Sequence, residues 1–231
     1  LPPLLGLLAA IIVGALFGYL TDVIAIRRVV SRSDEHLWLL STLALATIVQ
    51  QGVGLWWGTE PRPFPRLIPQ DFSAGLADQK YWLPIVTTAL LAVALELFYR
   101  RTLYGKLFVA MSEDTFAARA RGIETDRIRA LSYVLAGIIG GIAGFAAGQL
   151  TFAFFALGLT LTLNGFIALA VGGLGSNAGA LVGGAALGLL NAWSSNTIGG
   201  EYQNTVSVGL LMLVLLLKPE GLFGARNVRP V

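Results

Sequence analysis

The chain lacks cysteine entirely and carries one histidine and two methionines in 231 residues. Without cysteine there is no disulfide and no thiolate metal site, although this leaves the redox compartment open. His36 alone cannot build a histidine metal cluster or a catalytic triad, and it follows Asp34 and Glu35 in a polar loop. Paired catalytic carboxylates, a nucleophile elbow and metal-ligand spacing are missing as well. The chain is therefore expected to be no enzyme and to hold no cofactor of its own. Charge is also scarce: 13% of residues are charged, against about 25% in soluble domains.

What fills the chain instead is apolar. Hydrophobic residues make up 55% and the mean hydropathy is +0.73. Several runs approach the ~20 residues that cross a bilayer core as helix. The opening LLGLLAAIIVGALFGYL does not alternate as a membrane β-strand would. The fold class expected is an all-α polytopic membrane protein, with about seven transmembrane or re-entrant helices. They fall near residues 4–26, 37–57, 81–99, 128–150, 157–171, 178–193 and 205–217. The two runs within 151–195 read equally as two crossings or as a re-entrant pair. The start carries no basic stretch of a cleavable leader.

Between the spans lie a short loop with Arg27, Arg28 and Arg32, a loop at 58–80, a long polar stretch at 100–129, and a basic tail at 218–231. Pro61, Pro63, Pro65 and Pro69 forbid a regular helix in 58–80. Of the 16 basic residues, seven fall in 100–129 and 13 share one side if there are seven spans. The positive-inside rule makes that side cytoplasmic, with the C-terminus on it.

The stretch 100–129 has helix punctuation. Ser112 is a candidate N-cap, with Glu113 and Asp114 at the positive end of the dipole and Arg119 and Arg121 at the negative end. Gly122 stands where a left-handed residue ends a helix, and Thr125 can cap the next one, with Asp126 in its first turn. This describes a helix of roughly nine residues followed by a sharp turn. Being marginal alone in water, it needs neighbouring helices or a partner. A helix lying on the membrane surface fits these residues as well as a docking helix does.

Gly137, Gly141, Gly144 and Gly148 give small-xxx-small spacing in one span, and Gly175, Gly179 and Gly183 repeat it in another, which permits close helix packing. The run GGLGSNAG lacks the Lys-Ser/Thr ending of a P-loop, so any ATP is bound by another chain. Gln50 and Asn164 are candidate pathway amides. Glu96 can pair with Arg100 four residues on, and Asp22 with Arg27 or Arg28. No ionisable group sits near mid-membrane, where an ion-coupled carrier would place one.

The pieces YRRTLYGK, AMSEDTFAARARGIETDRIRALSYVLAG, AVGGLGSNAGALVGGAALGLL and EYQNTVSVGLLMLVLLLKPEGLFG resemble, in this order, the LivH-type permease of branched-chain amino acid ABC importers. Fainter similarity covers 22–33 and the second span. The resemblance implies a single permease domain over 1–231 in the bacterial inner membrane, with 58–80 periplasmic. It implies a LivM-type permease subunit, two cytoplasmic ABC ATPases and a periplasmic substrate-binding protein as partners, within membrane lipid and without nucleic acid. It further implies that Ser112, Glu113, Asp114, Ala117, Ala118, Gly122 and Ile123 lie at the ATPase contact. The family's early spans have no counterpart, so an N-terminally incomplete chain is expected. A permease for urea, amides or another small solute is the alternative, and an ion-coupled carrier a more distant one.

The orientation is testable because the chain has no native thiol. A membrane-impermeant maleimide should label Thr59→Cys on intact spheroplasts but Arg121→Cys only after permeabilisation. Labelling of Arg121→Cys on intact spheroplasts would invert the assignment.

Overall fold

A computed structural model of the chain describes residues 3–27, 37–64, 81–173, 175–218 and 221–224. Arg28, Arg32, His36, Pro65, Pro69 and most of the 58–80 loop lie outside the described residues, as does the tail from 225 on. Among the described residues the chain is helical, and its one pairing of extended backbone is an isolated bridge between Arg62 and Ala153. The helices are α1 (Pro3–Thr21), α2 (Leu37–Trp57), α3 (Trp82–Arg101), α4 (Leu103–Glu113), α5 (Thr115–Ala120), α6 (Thr125–Gly148), α7 (Leu157–Gly172), α8 (Asn177–Thr197) and α9 (Gln203–Leu217). They form two compact units, Leu1–Phe155 and Ala156–Val231.

The first unit is organised by α1 and α6, which run antiparallel with their backbones in contact. A Cβ added to Gly14 would lie 2.3 Å from the Gly137 carbonyl oxygen, and one on Gly18 would lie 2.2 Å from that of Tyr133. From the other side, a Cβ on Gly137 would meet the Gly14 oxygen at 2.1 Å, and one on Gly141 the Ala10 oxygen at 2.3 Å. Farther along, Gly6 faces the Phe145 ring at 3.4 Å. Every fourth residue of α1 from Gly6 thus meets every fourth residue of α6 from Phe145 backwards. This is the packing that small residues at four-residue spacing permit, where lipid supplies no hydrophobic drive and dispersion contacts must.

Past Thr21 the α1 helix widens into a π turn, Asp22–Ile26, closed by Arg27 N–H donating to the Asp22 carbonyl at 2.7 Å. The Ser41 hydroxyl of α2 donates to the Ala25 carbonyl at 2.7 Å and ties the second helix to this turn. At the far end of α6, Phe64 packs edge-on against Phe145 at 5.3 Å and against the bare Cα of Gly148. Backbone bonds of 2.9 Å in both directions join Arg62 and Ala153 there.

In the second unit α7 and α8 are bent against each other by 116°. Gly172 sits so close to the Gly179 carbonyl that a Cβ would lie 2.0 Å from it, and Gly183 is held likewise against the Ala168 carbonyl. Ile167, Val171, Leu187 and Val214 form the buried core with α9. The Leu222 and Phe223 amides donate to the Val171 and Gly172 carbonyls at 2.9 Å, so the segment after α9 covers the end of α7.

The expected spans are all helical, and four pass as membrane-crossing by length and apolar composition among the described residues: Leu5–Ile26, Trp82–Arg101, Thr125–Gly148 and Gly200–Leu217. The bent pair α7–α8 adds a fifth, and its geometry is that of a broken span or a re-entrant loop. The α2 helix, at 21 residues, also has the length that a bilayer core requires. Two of the predicted packing glycines need correction. A Cβ on Gly144 or Gly175 would meet nothing within 4 Å. Gly144 points away from α1, and Gly175 serves the turn before α8 with φ +88°.

Gly137→Val should therefore destabilise the isolated chain by about 1–3 kcal/mol or more, since carbonyl oxygens cannot yield as side chains do. Gly144→Val should stay within about 0.5 kcal/mol. Thermal unfolding in detergent micelles measures both, and equal losses would contradict the α1–α6 register.

Candidate functional site

The polar stretch between α3 and α6 is built from local rules. Glu96 and Arg100 close an i,i+4 ion pair at 2.5 Å near the end of α3. At the corner that follows, Thr102 caps α4: its hydroxyl oxygen accepts from Gly105 N–H at 3.0 Å while it donates to the Phe98 carbonyl at 2.6 Å. Gly105 is required there, because a Cβ would come within 2.2 Å of that same Phe98 oxygen. The Phe98 and Phe108 rings, 5.6 Å apart, hold α4 against α3.

This corner moves the helix boundary that the residues alone suggest. Ser112 is not an N-cap. It lies in the last turn of α4, its hydroxyl donating back to the Val109 carbonyl at 2.8 Å. The cap is Asp114, whose Oδ1 accepts from the Phe116 and Ala117 amides, both at 2.9 Å. The helix it starts, α5, has six residues rather than nine. Glu113 accordingly stands at the end of α4 instead of in the first turn of its successor.

The stop is as the residues suggest. Gly122 has φ +84°, its N–H donates to Arg119 and that of Ile123 to Ala118, at 3.0 and 3.2 Å. These are the paired bonds of a Schellman ending, which needs a left-handed residue at its turn. Thr125 does not cap α6 but is its first residue, and Glu124 at the N-cap makes no side-chain cap bond. Thr125 is buried, and its oxygen accepts from Arg119 Nε and Nη2 at 3.2 and 2.9 Å. Asp126 does occupy the first turn.

A short helix thus stands at the apex, stopped at both ends and tied back to α6 through Arg119. Ser112, Glu113, Asp114, Ala117 and Gly122 are exposed, Ile123 is half-buried, and Ala118 is buried beneath the helix. The most exposed apolar group of this stretch is Phe116, at 84% of its free surface. It stands two residues after the capping aspartate, in the first turn of α5. Elsewhere Gln50 is half-buried on α2 and Asn164 half-buried on α7.

Asp22 does not pair with Arg27, and its expected alternative Arg28 lies outside the described residues. Asp22 is buried and bound to Arg129, Nε to Oδ1 at 2.8 Å, while Arg129 Nη1 reaches Asp126 Oδ1 at 2.7 Å. Asp22 lies four residues after Gly18 and Arg129 four before Tyr133, so the ion pair occupies the next position of the α1–α6 register. The i,i+4 row Gly6, Ala10, Gly14, Gly18, Asp22 is the signal in the sequence that could have paired them.

A family model described as branched-chain amino acid transport system / permease component matches residues 3–215. The permease protein LivH of the high-affinity branched-chain amino acid transport system of Salmonella typhimurium is 32% identical over 98% of this chain and 76% of its own. LivH of Escherichia coli K12 shows the same values. The BraD permease protein of the corresponding system of Pseudomonas aeruginosa is 30% identical over 96% of this chain and 75% of its own. No solved structure matches the chain.

Losing the Asp114 carboxylate should cost α5 about 1 kcal/mol, the usual value of an N-cap, whereas Ser112→Ala should cost a few tenths at most. Gly122→Val forces a branched residue into the left-handed region at about 1–2 kcal/mol. Amide hydrogen exchange over 115–123 should quicken about five-fold or more in Asp114→Ala and Gly122→Val and stay unchanged in Ser112→Ala.

Proposed function

The chain belongs to the family of branched-chain amino acid transport permease components, and we propose that its solute is a branched-chain amino acid carried inward at the expense of ATP. As a permease component it is a multi-pass membrane protein. In this reading it makes and breaks no covalent bond. ATP is bound by two separate ATPase subunits, a LivM-type permease completes the membrane part, and a periplasmic binding protein delivers the solute. The complex sits in the bacterial plasma membrane with α4, α5 and the C-terminus on the cytoplasmic side, where the positive charges of the 100–129 stretch belong.

The observation that supports this most directly is α5. A six-residue helix has too few internal bonds to persist alone, yet this one is capped, stopped and bolted to α6, with Phe116 left bare. That is the form of a part that takes a push from a soluble partner without deforming. Asp114, Ala117, Gly122 and the exposed Phe116 would form the contact, with Ser112 and Glu113 beside it and Ala118 and Ile123 supporting it from beneath. Alternating access follows if movement of α5 reaches the spans. Gln50 and Asn164 remain candidates for the pathway lining.

Uptake of labelled leucine by cells carrying the whole system should vanish with a hydrolysis-dead ATPase, and Phe116→Glu should reduce co-purification of the ATPase at least several-fold. Leucine uptake that persists without any ATPase under an ion gradient would replace this reading with a secondary carrier. Competition by urea or short amides but not by leucine or valine would change the solute.

A further inference from the structure

The bond between Asp22 and Arg129 differs from every other contact in the α1–α6 register. At the other positions a glycine or alanine backbone meets a partner backbone, or Gly6 meets a ring. Among the described residues only here do two charged side chains make the contact, and both are largely shielded, with 4% of the Asp22 and 18% of the Arg129 side chain exposed. We propose that this ion pair is the tie through which displacement of α5 reaches α1, so that Asp22 and Arg129 are positioning residues for transport. The proposal rests on α5 being driven by an ATPase, as argued above.

The polar links run in series. Arg119 of α5 donates twice to Thr125, the first residue of α6. One turn on, Arg129 holds Asp126 of its own helix with Nη1 and Asp22 of α1 with Nε. A guanidinium presents its donors in a rigid fork, so moving the first turn of α6 draws Asp22 with it. The buried carboxylate cannot let go cheaply, because without Arg129 it would be an uncompensated buried charge. Asp22 opens the π turn, whose Ala25 carbonyl is in turn held by Ser41 of α2. Departures from regular α-helix of this kind recur at functional sites, and this one closes α1. A pull on Asp22 is therefore applied where α1 can respond and where α2 is attached.

Two measurements test this. In the cysteine-free chain, spin labels at Arg27→Cys and Arg121→Cys should give a narrow distance distribution that broadens in Asp22→Asn and in Arg129→Lys, which keeps its charge but not its fork. Asp22→Glu should restore it. In the assembled transporter in proteoliposomes, Asp22→Asn and Arg129→Lys should keep ATP hydrolysis within about twofold while solute uptake per ATP falls about tenfold, again with recovery in Asp22→Glu. A purely stabilising pair would lower hydrolysis and uptake together, and that result overturns the positioning role. An unchanged distance distribution in both variants overturns the tie. If the parent complex shows no ATP-dependent uptake, the importer reading fails and takes the transport role with it, and the spin labels alone then decide the tie. Should Asp22→Asn not fold, Arg129→Lys carries the same comparison.

Discussion

The backbone contact between α1 and α6 is the constraint from which the rest of the first unit follows. Carbonyl oxygens of one helix occupy the space where side chains of the other would begin. Such a contact fixes the register of the two helices to the residue, since a slip by one position would bring Tyr19 or Ile138 into the seam. Lipid offers no hydrophobic drive for association, so close approach and complementary polar groups carry it. Once that register is set, Asp22 has to lie beside Arg129, and the π turn that begins at Asp22 has to lie beside the start of α6.

The loop inherits its rigidity from that arrangement. The α6 helix is anchored along α1, Thr125 at its start is buried, and Arg119 hangs α5 from Thr125. At the other end Thr102 and Gly105 turn the chain sharply out of α3. Between these fixed points α5 needs only an aspartate to begin and a glycine to end. The same principle shapes the second unit, where Gly172 and Gly183 bring α8 against α7 and the residues after α9 close over the junction.

Much of this could be read from the residues. The membrane class, the helical segments, the Glu96–Arg100 pair, the left-handed Gly122 and the family itself are all legible, because each depends on composition, on neighbours within one turn, or on an ordered set of motifs. The position of the short helix was less so. Ser112 and Asp114 are both good capping residues two positions apart, and intrinsic preference does not choose between them. The choice falls to Asp114 because α4 is held on α3 by Gly105 and Phe108 and so runs on through Ser112.

The glycines divide in the same way. Four-residue spacing announces that two helices can approach closely, which is a local property of one helix face. It does not say which face meets which helix, and so Gly144 and Gly175 share the spacing without sharing the contact. The sequence by itself determined that this chain is a membrane protein with a capped polar turn and faces of small residues, since each of these is written within a few consecutive turns. Only the tertiary structure decided that Asp22 belongs to Arg129, 107 residues away. A pairing across two helices depends on their register, and register is a property of the pair.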